Sequence, residues 1–178
     1  MYNARRLRLR ATISDAVRLS RLGYPAYRGV QRGAPVEAAF SPDARYAYVS
    51  NYSMYGAGFG PEGSDVCSPS SGYDRSFVYR IPLDTLRIDR AYRVGPVPKV
   101  VATSRDGRYV LVSNWCGYDV SVISTRRGRQ VRRVPIGPYP RGIAMSPTKD
   151  VAYVAMMGGN EVVRVDLRNW KTLALLHL

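Results

Sequence analysis

The chain has 178 residues and carries 27 basic against 13 acidic side chains, a formal net charge of +14. Hydrophobic residues make up 46% of it, enough for one packed domain and too much for a disordered polar chain. No stretch approaches the ~18 consecutive apolar residues of a membrane span, and the basic start Met1–Arg10 runs into no apolar segment, so it does not read as a signal peptide.

In chain order, Leu7–Thr12 and Val17–Leu22 read as two strands, followed by a long turn-rich segment, Gly23–Pro35. From there the chain repeats itself. Pro35–Asp43 aligns with Pro98–Asp106 and Pro140–Thr148. Ala44–Asn51 aligns with Gly107–Asn114 and Lys149–Met156, and later halves start at Phe77, Asp119 and Glu161. The period is 42 residues (77 to 119, 119 to 161, 98 to 140), but 35 to 98 is 63. The extra 21 residues mark a Gly/Ser/Pro-rich insertion between Asn51 and Phe77, read as a loop within 52–76.

Each repeat contains four short strands. Strand a is Glu37–Phe40, Val100–Thr103 and Ile143–Met145. Strand b is Tyr46–Ser50, Tyr109–Ser113 and Val151–Ala155. Strand c is Phe77–Ile81, Val120–Ile123 and Val162–Val165. Strand d is Ile88–Val94, Gln130–Ile136 and Thr172–Leu176. Four-stranded units at this period predict an all-β fold, a β-propeller of antiparallel blades in an incomplete ring. The expected division is 1–34 as a half blade (strands c and d) plus a long loop, then blades 35–97, 98–139 and 140–178. Three and a half blades fall short of the four to eight that close a ring. A fragment of a longer propeller, or self-association through open blade edges, is therefore expected.

Tyr48-Val49-Ser50-Asn51, with Leu111-Val112-Ser113-Asn114 and Tyr153-Val154-Ala155-Met156, resembles the YVTN-family β-propeller repeat. The resemblance spans roughly residues 35–178. It departs in the third copy, which lacks the Ser-Asn pair, and at Leu111. It implies the propeller fold and no particular activity.

In a propeller the d–a and b–c loops open on one face, so the insertion and Gly23–Pro35 share it. Long loops on a rigid scaffold are where binding sits. That face carries Asn51, Asn114 and Trp115 at strand b ends, and Lys99 and Arg141 at strand a starts. Tyr118 and Asp119 open strand c, Tyr55 lies in the insertion and Arg28 in the d–a loop. Aromatic rings with cations suit an anionic or sugar-like ligand, or a protein partner. Cys67 and Cys116 fall in b–c loops of successive blades. They are either a disulfide, which belongs to an oxidising compartment, or two free thiols.

Other motifs carry less. Gly58–Gly63 spells G-x-G-x-x-G, but Pro61 interrupts it and no helix follows, so no cofactor is expected. The two Cys fit no metal spacing, although Glu37, Glu62, Asp65 and Asp74 are an acidic set. The single His is His177, and no catalytic residue is assigned. Arg126, Arg127, Arg129, Arg132 and Arg133 form the densest basic cluster and read as a solvated outer rim. The leading expectation is a non-catalytic binding module working through the loop-rich face. The alternatives are single-stranded nucleic acid or another polyanion held by Arg and aromatic residues, and part of an enzyme with its site at the channel mouth.

Overall fold

The computed structural model describes residues 2–3, 8–55 and 66–177, with side chains for 8–52 and 66–174. Short strands β1 (Tyr2–Asn3) and β2 (Arg8–Leu9) pair with each other. Then come three antiparallel four-stranded sheets, each in simple up-and-down order. Blade 1 is β3 (Arg32–Phe40), β4 (Tyr46–Tyr55), β5 (Phe77–Pro82) and β6 (Arg90–Arg93). Blade 2 is β7 (Pro98–Thr103), β8 (Tyr109–Asn114), β9 (Asp119–Ser124) and β10 (Arg129–Pro135). Blade 3 is β11 (Pro140–Met145), β12 (Val151–Met156), β13 (Glu161–Asp166) and β14 (Thr172–His177). All twelve repeat strands fall where the 42-residue pattern puts them.

Period-2 alternation explains how the blades stack. In blade 1, Tyr48, Val78, Tyr92 and Val94 share a face and pack on Val101, Val110, Val112 and Ile123 of blade 2. The other face of blade 2, with Leu111, Val120, Val122 and Val134, packs on Ala152, Val154, Val163 and Val165 of blade 3. Blade 2 is thus covered on both sides, and every residue of β9 is buried. Each fully buried Val, Leu or Ile contributes about 1.5–3 kcal/mol.

Val17–Leu22 is not the expected strand. Val17 makes a single bridge to Gln31, and Leu19–Leu22 forms a 3-10 turn closed by Gly23 in the left-handed region (φ 95°). The apolar spacing explains it: Leu19 and Leu22, three apart, share one side of a tight turn and reach Phe77, Tyr79 and Ala91 together. This segment covers the face of blade 1 that points away from blade 2. The expected strand over Leu7–Thr12 extends only over Arg8–Leu9.

The insertion is also not all loop. β4 runs on to Tyr55 and pairs with Arg32 and Gly33, so the first blade carries a longer a–b hairpin than the others. Downstream, Ser68 caps a 3-10 turn at Pro69–Ser71 in a reciprocal capping box.

Serine hydroxyls join the inner strands of adjacent blades. Ser50 Oγ accepts from Glu37 N–H (3.3 Å) within its blade and donates to the Lys99 carbonyl of the next (2.5 Å). Ser113 Oγ does the same, accepting from Val100 N–H (3.1 Å) and donating to the Arg141 carbonyl (2.8 Å). At the other end of the strands, Thr103 Oγ1 donates to the Phe40 carbonyl (2.8 Å). In blade 3 the residue equivalent to Ser113 is Ala155.

The a–b turns repeat as well. Asp43 Oδ1 accepts from the Ser41 hydroxyl (2.5 Å) and Arg45 N–H (3.1 Å), while Oδ2 meets Arg45 Nε (2.7 Å). Ser104, Asp106 and Arg108 rebuild this turn in blade 2. The Ser41 hydroxyl, then Arg45, pull the Asp43 carboxyl down to about 2. Asp106 is also lowered, against burial, by Ser104 and Arg108.

Two outcomes are expected. Ser113→Ala removes two part-buried hydrogen bonds and costs about 1 kcal/mol, read as a lower urea midpoint with unchanged m. A depressed carboxyl stabilises the fold above its unfolded pKa of about 4 and loses that contribution as pH falls towards 2. The double variant Asp43→Asn/Asp106→Asn should therefore show a flatter fall in urea midpoint between pH 4.5 and 2.5 than the parent chain.

Candidate functional site

Two equivalent d–a loops build the floor of the loop-rich face. Gly95-Pro96-Val97-Pro98-Lys99 and Gly137-Pro138-Tyr139-Pro140-Arg141 are 42 residues apart. In each, the residue between the prolines sits at positive φ, Val97 at 51° and Tyr139 at 52°. Its carbonyl accepts from the residue after strand b, Trp115 N–H to Val97 (2.9 Å) and Met157 N–H to Tyr139 (3.0 Å). Non-glycine residues seldom adopt this conformation, and the surrounding bonds hold it. The outcome is that Lys99 and Arg141 enter strand a beside Trp115.

Lys99 is 6% exposed. Its Nζ lies 3.4 Å from the Tyr52 ring centroid and 5.3 Å from that of Trp115. The Arg141 guanidinium, on an exposed residue, lies 6.0 Å from the Trp115 centroid. Trp115 stacks at a tilt on Tyr139 (4.7 Å), which meets Tyr118 edge-on (5.3 Å). Both ring contacts of Lys99 lie within cation–π range.

Cys67 and Cys116 form a disulfide with Cα atoms 5.3 Å apart. It joins the end of the insertion to the b–c loop of blade 2. The Tyr118 hydroxyl donates to the Cys67 carbonyl (3.0 Å), a second tie at the same place. Its hydrogen bond with Tyr139 raises the Tyr118 pKa. Tyr52, Cys67, Val97, Trp115 and Cys116 form one buried cluster, with Ala34, Tyr73 and Tyr139 packed against it.

The other sequence-level candidates have different surroundings. Asn51 and Asn114 are fully buried. Asn51 Nδ2 donates to the Phe77 carbonyl (3.1 Å), and Asn114 Nδ2 donates to Asp119 Oδ1 (2.6 Å) and Ser121 Oγ (2.8 Å). These amides hold strand b to strand c. Gly95 must stay small here, because a Cβ would fall 2.5 Å from Asn114 Cγ. Asp119 is buried and paired with Arg133. Burial raises its pKa, opposed by Asn114 and Arg133. Ser121 Oγ and Arg75 both donate to Gln130 Oε1 (3.0 Å each), which ties the loop before β5 to the outer strand of blade 2.

Arg28 is exposed, and no contact among the described residues brings it to the Trp115 cluster. The Tyr55 side chain, Glu62, Asp65 and Gly58–Gly63 lie outside the described residues. The structure therefore gathers Lys99, Arg141, Trp115, Tyr118 and the cysteines. Tyr52 and Tyr139 join them unannounced, and the repeated Gly-Pro-x-Pro signal would have found Tyr139.

No family model matches the chain, and no curated protein matches it in sequence. Solved structures do match. Kuenenia stuttgartiensis hydrazine synthase superposes with a TM-score of 0.64 at 24% identity, over 80% of this chain and 35% of that one. The Cps50 (Swd1) β-propeller domain of Myceliophteria thermophila gives 0.60 at 16%, over 80% and 38%. The RRP9 WD40 repeats give 0.62 at 11%, over 84% and 40%. The chain has the β-propeller fold. It spans between a third and two fifths of the length of these propellers, and at such identity the likeness speaks for fold alone.

The disulfide closes a loop with a sequence separation of 49. In the chain-entropy account a closure of that length is worth about 4 kcal/mol. Cys67→Ser/Cys116→Ser should lower unfolding stability by about 2–4 kcal/mol. Proteolysis should then cut first within 52–76, read by peptide mapping.

Proposed function

We propose that the chain is a non-catalytic interaction module of a YVTN-type propeller, which binds an anionic or sugar-like group on its loop-rich face. The observation that carries this is the Cys67–Cys116 disulfide, which fastens the insertion beside a cluster of Tyr52, Lys99, Trp115, Tyr139 and Arg141. A disulfide at the end of a long loop shortens the length of chain that binding has to fix, which lowers the entropic cost of binding. Tyr139, half-buried on top of buried Trp115, offers ring surface, and Arg141 an exposed planar donor for carboxylate, sulfate or phosphate. Lys99 supplies positive potential from below rather than a direct contact. Asp119 is taken up by Asn114 and Arg133. The Ser50-Asn51 and Ser113-Asn114 pairs, one linking blades and one linking strands, support the YVTN assignment. The disulfide favours an oxidising compartment for the working protein.

A sulfated hexasaccharide derived from heparin is a suitable probe. On titration, amide hydrogen exchange should slow at 97–99, 114–118 and 139–141. Arg141→Ala should weaken binding about tenfold, the loss of one charge-assisted hydrogen bond. Protection confined to the a–b and c–d turns, or unchanged affinity in Arg141→Ala, would count against the loop-rich face.

A further inference from the structure

The opposite, turn-bearing side of the arc has its own chemistry. Between blades 2 and 3 lies a cleft of about 440 Å³, lined by Arg108, Arg126, Arg127 and Arg132 with Tyr109 and Trp170. That volume fits a nucleotide-sized group. The cluster that reads from sequence as a uniformly solvated rim is divided by the fold. Arg133 turns to Asp119, while Arg126, Arg127 and Arg132 converge on the cleft. A register shift between Gln130 and Arg132 makes this possible, because it lets Val131 and Arg132, neighbours in sequence, both line it.

Three features set this cleft apart from its counterpart between blades 1 and 2. In the counterpart, Arg45 is paired with Asp43 and Arg80 with Asp89, and Arg80 also covers the Tyr46 ring at 4.6 Å. In the cleft, no carboxylate among the described residues pairs with Arg126, Arg127 or Arg132, and Arg108 alone is matched, to Asp106. Next, Trp170 occupies the left-handed position of the c–d turn (φ 64°), where the equivalent residue of blade 2 is Gly128. Its edge-on contact with Tyr109 (5.1 Å, 88°) holds the indole at the cleft wall. The same turn position is left-handed in blade 1 too, at Leu86 (φ 53°), so the backbone belongs to the turn and the indole is what is particular to blade 3. Finally, Arg126 stands 42 residues after Asp84, a cation where blade 1 has a carboxylate; it also lines the counterpart, and Arg108 lines a third pocket with Arg105, Asp106, Lys149, Asp150 and Arg168.

We propose that this turn-side track binds single-stranded nucleic acid, with one base against Trp170 and Tyr109 and the flanking phosphates on Arg126, Arg127, Arg132 and Arg108. Guanidinium groups beside aromatic surface are how proteins hold single strands without reading sequence. Arginines shared between adjacent pockets favour a polymer over a free nucleotide. The site is separate from the loop-rich face, so either can fail without the other.

The test is fluorescence anisotropy of labelled dT12 with the full chain over a salt series. Arg126→Gln/Arg127→Gln/Arg132→Gln removes three exposed cations without touching the core, and circular dichroism checks its fold. Its affinity should drop at least tenfold, and the slope of log K against log salt should shrink by about 2, as three lost phosphate contacts require. Removing as much charge elsewhere, in Arg10→Gln/Arg18→Gln/Arg21→Gln, should cost less than threefold. Unchanged affinity in the first variant, or equal loss in the second, would overturn the proposal. So would equal competition by inorganic polyphosphate, by a duplex of the same length or by dTMP alone. These outcomes would indicate charge without stacking, a double-stranded partner or a free nucleotide.

Discussion

One hydroxyl per junction aligns the arc. Ser50 and Ser113 each accept a hydrogen bond from their own blade's inner strand and donate one to the next blade's. A sheet that is apolar on both faces needs a neighbour on each side, but apolar packing alone is non-directional. The serine sets the height at which the next inner strand starts. It does so at the carbonyls of Lys99 and Arg141, where the loop-rich face begins. Packing between blades and display of cations therefore share one hydrogen bond.

Most of this architecture was legible in the residues. Strand density, the serine-led a–b turns at Ser41, Ser104 and Ser146 and the 42-residue spacing mark all three blades, and the apolar runs are longest in blade 2, whose two faces are both covered. Legibility failed where spacing changes meaning. Val17, Leu19 and Leu22 satisfy strand alternation as far as Leu19 but close a 3-10 turn once Leu22 must reach the same cluster. Tyr52–Tyr55 lies in a segment rich in turn residues, yet pairs with the d–a segment opposite it, a partner no local pattern shows.

The site was legible in outline and misread in roles. Chain topology was enough to bring Lys99, Arg141, Trp115 and both cysteines to one end. Which side chain faces inward was not readable. Asn51, Asn114 and Asp119 turn into the sheet to satisfy backbone and serine groups, and Lys99 sinks beneath two rings. The arginine cluster on the turn side was read as uniform because a register shift, invisible in sequence, decides which members converge.

Blade 2 alone has a blade on both faces, and β9 is buried along its whole length. In a linear array, local opening starts where a unit has fewest neighbours and works inward. The middle blade is then the slowest to exchange and the last to lose structure. Strand a of blade 2 bears Lys99, its b–c loop bears Trp115 and Cys116, and its c–d turn bears Arg126 and Arg127. Both proposed surfaces draw on blade 2, and each is completed from blade 3, by Arg141 on one side and Trp170 on the other.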